Sequence, residues 1–308
     1  MMASQPDAVV RILVSYWYWK RRDLQALVDL AEGLPVRLFA DSGAYSAHTL
    51  QSGGVTINLA DYSAWLNDWK HLLTVAANLD VIGDPVGTAR NQLALEERGH
   101  EVIPVFHGST PLTELEALCR DYRYIAVGGT ASLHGRQTEM IAYTAEMMLI
   151  AQQYGTVFHG FGRSSSEDLA SLPFYSVDST SWMRGAQFGS LQVFTGRGVK
   201  TLSIQAAARQ PRLLRQHGVN PQLLHAGYAN GGRTRPLEEY RREQHESLFA
   251  AAVAWKRFEA YLRDRHKVPA PPGQPDRGPV VYFADDVARH LQQMMRAVRW
   301  LAGEEANA

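Results

Sequence analysis

One cysteine, Cys119, stands in 308 residues, which excludes an intramolecular disulfide and any zinc site built on several thiolates. Such scarcity fits a reducing compartment. Net charge is also lacking. The chain balances 31 Lys and Arg against 31 Asp and Glu, so no global field draws it to nucleic acid or a membrane, and any polyanion site has to be local. No apolar run approaches the about 18 residues that span a bilayer. The opening Met-Met-Ala-Ser-Gln-Pro-Asp has neither the basic nor the apolar region of a secretory signal. A cytoplasmic protein without membrane contact is therefore expected. What is present, 45% hydrophobic and 20% charged residues, suits one barrel-sized domain with extras.

Short apolar runs at 9–17, 36–40, 79–82, 101–107, 124–127, 157–161, 174–177 and 199–204 read as eight strands. Segments 23–32, 59–76, 88–98, 113–121, 137–153 and 166–172 carry apolar residues at three and four spacing and read as helices between them. Eight alternating units favour an α/β fold of the (β/α)8 TIM-barrel class over an open doubly wound sheet. Residues 1–205 form the main body of the catalytic barrel in this reading. Residues 206–308 form a helical segment that completes the barrel and packs on it, with helices at 206–216, 237–265 and 285–301 and a Pro-Ala-Pro-Pro-Gly-Gln-Pro linker before the last.

The chemistry gathers where strands end. Asp41 in Ala40-Asp41-Ser42-Gly43-Ala44-Tyr45 and Asp178 in Ser176-Val177-Asp178-Ser179 each place a carboxylate just past an apolar run, at the barrel face where βα loops build active sites. Each is either a cap of the next helix or one of a nucleophile and acid/base pair. Asp84, before Pro85, is a third such acid, again either cap or ligand. His107, the Gly128-Gly129 pair and His159 in Phe158-His159-Gly160-Phe161-Gly162 follow later strands. Paired glycines let a flat ligand approach the main chain or make a tight turn. A carboxylate such as Asp84 accepts two N–H donors from the edge of guanine while Gly128 and Gly129 meet the opposite edge and Tyr45 stacks on the ring. Asp178 would then attack the sugar carbon and Asp41 handle the proton.

These motifs, in this order, resemble the guanine transglycosylases, which swap guanine for a 7-deazaguanine within nucleic acid. Asp41-Ser42-Gly43-Ala44-Tyr45 resembles their Asp-Ser-Gly segment with an aromatic close behind, and Asp84 their acid after the next strand. Phe106-His107-Gly108-Ser109-Thr110 is similar to an archaeal Val-Gln-Gly-Ser-Thr stretch, with His107 where the family has glutamine. Gly128-Gly129, Gly160-Phe161-Gly162 and Asp178-Ser179-Thr180-Ser181-Trp182 match in turn. The resemblance covers roughly residues 10 to 185. It implies Asp178 as covalent nucleophile, Asp41 as general acid/base, Asp84, His107, Gly128 and Gly129 as readers of the base, and Tyr45 and His159 stacking on it. It implies no cofactor. Members acting on tRNA carry a zinc site of three cysteines and a histidine after the nucleophile, and no cysteine follows Cys119 here. The zinc subdomain is therefore not expected, and the compact plan is similar to members linked to bacteriophage and DNA-modification clusters. DNA is the expected polymer, with tRNA and a non-catalytic nucleic-acid-binding barrel as alternatives and a homo-oligomer left open.

Local charge supports a polyanion partner. Residues 196–242 carry nine basic and two acidic side chains, a net charge of +7. Arg197, with Arg233 and Arg235 in the glycine-rich loop 226–235, is the candidate contact for the nucleic-acid backbone; a solvated helix face accounts equally well for Arg209, Arg212 and Arg215.

Overall fold

The computed structural model describes residues 5–50, 55–108, 110–128, 137–223, 237–285 and 287–304. Its strands are β1 (Val10–Ser15), β2 (Val36–Asp41), β3 (Leu73–Ala77), β4 (Val102–Ile103), β5 (Val105–His107), β6 (Tyr124–Gly128), β7 (Val157–Gly160), β8 (Ser176–Ser179), β9 (Ser190–Phe194), β10 (Val199–Ser203) and β11 (Val280–Ala284). Nine of them form one parallel sheet in the order β4-β3-β2-β1-β11-β8-β7-β6-β5. Its two ends, β4 and β5, are successive pieces of a single strand, so the sheet is a nearly closed TIM-like barrel. Pro104 makes the break. It has no N–H to give to a neighbour, yet its carbonyl still accepts from Ala126 N at 2.9 Å.

Side-chain alternation sorts the strands into two layers. Leu13, Phe39, Val75, Tyr124, Ala126 and Tyr282 form a cluster inside the barrel. Their neighbours Ile12, Leu38, Ile125, Phe158, Val177 and Phe283 instead join helix residues such as Leu24, Leu66 and Leu248 on the outside. Each such side chain contributes roughly 1.5–3 kcal/mol when fully buried. Carried two residues further along each strand, the inward parity points Ser15, Asp41, His107 and Gly128 into the C-terminal mouth. On β8 it points Ser176 and Asp178 inward, because Val177 faces out.

Four expectations about the elements are corrected. The third strand is Leu73–Ala77, not 79–82, and the preceding helix stops at Trp69 instead of running to 76. The run Leu72-Leu73-Thr74-Val75-Ala76-Ala77 suits either period, and its β-branched centre takes the strand. The first strand ends at Ser15, and Tyr16–Trp19 is a helical turn with Tyr16 and Trp19 buried. Residues 199–204 do not supply the eighth barrel strand, since β10 pairs antiparallel with β9 in a separate two-stranded sheet. The eighth position belongs to β11, seated between β1 and β8. The segment 206–308 thus contributes a barrel strand as well as helices.

The helix Leu237–His266 packs against β9, β11 and the last helix, Ala288–Ala302. Its run Phe249-Ala250-Ala251-Ala252-Val253-Ala254-Trp255 is buried on every side, because the small residues let neighbouring backbones come close. No helix among the described residues is long and apolar enough to cross a membrane.

Candidate active site

Three carboxylates meet at the barrel mouth. Asp41 ends β2, and its Oδ2 accepts from Gly43 N at 3.0 Å. Burial pushes its carboxyl up to about 7, and the charges of Asp80 and then Asp178 push the same way. That coupling brings Asp41, Asp80 and Asp178 into one electrostatic unit. Asp80, in the loop after β3, is raised too, first by burial, with His107 and a hydrogen bond from Ser42 opposing. Ser42 Oγ donates to Asp80 Oδ1 at 3.1 Å, and His107 Nε2 lies 3.6 Å from Asp80 Oδ2. Asp178 is buried, and its Oδ1 accepts from Gly162 N at 2.8 Å and faces His159 Nε2 at 3.4 Å.

Gly43 makes the turn that allows this. Its φ is +75°, and a Cβ there would come within 2.2 Å of Ser15 Oγ and 2.6 Å of Trp17 Cβ. Gly43→Ala is expected to cost at least about 1–3 kcal/mol through the left-handed backbone and the overlap. It should also displace the N–H that holds Asp41. A urea titration alongside an activity assay checks both losses.

The other expected residues divide. His107 stands at the inward end of β5, buried beside Asp80. Gly128 ends β6, its carbonyl accepts from Gly108 N at 3.0 Å, and a Cβ on it would meet Phe161 at an ordinary 3.5 Å. Tyr45 is 62% exposed on the helix Ala44–Leu50. Arg197 is exposed in the turn between β9 and β10. Gly129, Arg233, Arg235 and the loop 226–235 lie outside the described residues.

Two assignments are corrected. Asp84 is exposed, and its Oδ1 accepts from Gly87 N at 2.9 Å, so it caps the helix Pro85–Glu96. The acid brought to Asp41 is Asp80, four residues earlier. His159 cannot stack on a ligand, because it is fully buried, with the Phe39 ring centroid 4.2 Å away and Phe161 at 4.7 Å in a T-shaped contact. Asp80 follows Asn78 and Leu79 just past the end of β3, whereas Asp84 follows the expected strand 79–82, which the chain does not form.

Ser15 Oγ and His107 Nε2 are buried with no hydrogen-bond partner among the described residues. Such atoms cost about 1–3 kcal/mol each when unpaired, and both border the acids. No group of three or more His, Cys, Asp or Glu among the described residues has the arrangement to hold a metal ion. The chain matches no protein-family model and no curated protein. The chemistry of this mouth has to be read from its own side chains: one carboxyl poised near neutrality, a second held by a backbone N–H, and a third flanked by imidazole and hydroxyl.

Proposed function

We propose that this protein is a guanine transglycosylase that exchanges guanine in DNA for a 7-deazaguanine such as 7-cyano-7-deazaguanine. The observation that supports it is that Asp41 on β2 and Asp178 on β8 share one mouth, where burial first, then the charges of Asp80 and Asp178, push the Asp41 carboxyl up to about 7. A carboxyl raised toward neutrality suits an acid/base that gives and takes a proton, and leaves the attack to Asp178. A carboxylate oxygen of Asp178 attacks C1′ as the C1′–N9 pair leaves with guanine, which takes a proton from Asp41. The incoming base gives its N9 proton to Asp41 and attacks C1′ in turn, freeing Asp178. Asp80, with Oδ1 engaged by Ser42, takes over from Asp84 the task of accepting the N–H donors of the base.

The inward position of the acids requires the target nucleotide to leave its stack before reaction. Compactness without a cysteine zinc module favours DNA over tRNA, and Arg197 supplies a cation for the backbone. Incubation with guanine-containing DNA is expected to give a denaturation-resistant adduct that Asp178→Ala does not form. A stronger adduct with tRNA would transfer the reading to that polymer, and no adduct with either would leave a non-catalytic barrel.

A further inference from the structure

Behind Asp178 runs a chain of polar side chains across three adjacent strands. Tyr124 on β6, His159 on β7 and Ser176 on β8 all point into the barrel, where buried hydroxyls and imidazoles need partners. Tyr124 Oη and Ser176 Oγ are 2.6 Å apart, and Ser176 Oγ and His159 Nδ1 are 2.6 Å apart. His159 and Ser176 are fully buried, and Tyr124 is 6% exposed. Pairing places His159 beside Ser176 in register, and Asp178 lies two residues further on the same face of β8.

The charge at one end decides the direction of the whole chain. His159 Nε2 faces a carboxylate oxygen, so the tautomer that avoids opposed lone pairs carries its proton on Nε2. Nδ1 then accepts from Ser176, and Ser176 accepts from Tyr124. Burial lowers the pKa of His159, against the pull of Asp178, which suits a neutral ring with a single proton. Phe39 and Phe161 clamp that ring, so it cannot turn to exchange its nitrogens. At 3.4 Å the contact to Asp178 Oδ1 is near but not yet aligned as a hydrogen bond, as contacts of this kind are before substrate presses on them.

We infer that His159, oriented by Ser176 and Tyr124, is a positioning residue that fixes which oxygen of Asp178 reacts. Oδ1 is engaged by Gly162 N and turned toward His159, which leaves Oδ2 as the attacking atom. This rests on the base-exchange reading. Oδ2 forms the bond to C1′, the C1′–N9 pair departs with guanine, and the proton guanine takes comes from Asp41. In the resulting ester Oδ1 is the carbonyl oxygen. Donors on it favour return of charge to the carboxylate when the new base attacks, so they speed breakdown of the adduct.

The orientation is testable apart from activity. In protein carrying 15N-labelled histidine, two-bond proton–nitrogen correlation at pH 7, with His159→Gln to assign the ring, is expected to show the Nε2–H tautomer of His159. That tautomer should weaken in Asp178→Asn. An Nδ1–H tautomer, or an Nε2–H signal indifferent to Asp178→Asn, overturns the orientation whatever the enzyme does. In the exchange assay Ser176→Ala and Tyr124→Phe are expected to lower kcat about 10-fold to 100-fold, by analogy with the loss of outer hydrogen-bond partners elsewhere. KM for DNA should be unchanged, and the adduct should persist longer. Equal loss in KM and kcat, or faster breakdown of the adduct, overturns the positioning role. Absence of adduct and exchange in the unaltered protein overturns the transglycosylase reading and the attack by Oδ2, leaving the tautomer result to stand by itself.

Discussion

Asp41→Asn is expected to slow base exchange by about 10²-fold to 10⁴-fold, while making the protein more stable at pH 8. Both effects come from one property. In the folded chain the carboxyl is pushed from 3.8 to about 7, first by burial and then by Asp80 and Asp178. A folded-state value above the unfolded one means that the native state binds the extra proton between those limits. The contribution of Asp41 to stability is therefore fully present below about pH 4 and lost as pH rises through 7. Asn carries no charge to desolvate and still offers an oxygen to Gly43 N, so at pH 8 the variant should gain on the order of 2–4 kcal/mol at most. At pH 4 the gain should vanish. Urea titrations at the two pH values measure the difference, and equal stability changes at both would refute the raised carboxyl of Asp41. In the proposed base exchange, the same carboxyl gives a proton to the leaving base and takes one from the incoming base. The kcat profile is then expected to peak near pH 7, falling on the alkaline side as the acid form disappears.

How far the sequence discloses this site depends on what kind of signal each residue carries. Asp41 and Asp178 are legible because each follows a strand whose alternation is clear, and parity alone turns both into the mouth. Asp80 is obscured by the neutral periodicity of Leu72 to Ala77, which hides the end of β3 and makes the capping acid Asp84 look like the strand's last word. Ser15, Ser42, Ser176 and Tyr124 are invisible for a different reason. Hydroxyls occur in any strand or turn, and they acquire a role only when the barrel brings segments distant in sequence within hydrogen-bond reach. The eighth strand is hidden by distance. Val280-Val281-Tyr282-Phe283-Ala284 is as apolar as any other strand, but about 75 residues, among them the long helix Leu237–His266 and a proline-rich linker, separate it from β10, and that hairpin strand offers a nearer and misleading candidate.

Glu259→Ala is expected to destabilise the fold by about 3–5 kcal/mol while leaving the activity per folded molecule unchanged. At the end of the barrel away from the acids, the parity that turns Leu13 inward also turns Arg11 inward, where it is 1% exposed. Glu259, fully buried on the helix Leu237–His266, accepts from Arg11 Nη1 at 3.1 Å, from Val281 N at 3.0 Å and from Lys256 Nζ at 2.6 Å. One carboxylate thus ties the long helix to β1 and β11. Its removal leaves two buried cations and a backbone N–H short of an acceptor. Asp7 and Asp276 hold part of the charge on Arg11, at 2.8 and 3.0 Å, which is why the loss should not exceed a single broken buried pair. Against burial, which raises it, the hydrogen bond from Arg11 and the charge of Lys256 keep the Asp7 carboxyl far below the ordinary range. That contribution is present above 3.8 and lost as pH falls below it, so the network should loosen in acid. Combining Glu259→Leu with Arg11→Met removes anion and cation together and should recover more than about 1 kcal/mol relative to the sum of the single changes. Additive losses in a double-mutant cycle would mean that Arg11 and Glu259 act separately, and a parallel loss of base exchange would mean that this end of the barrel is not independent of the mouth.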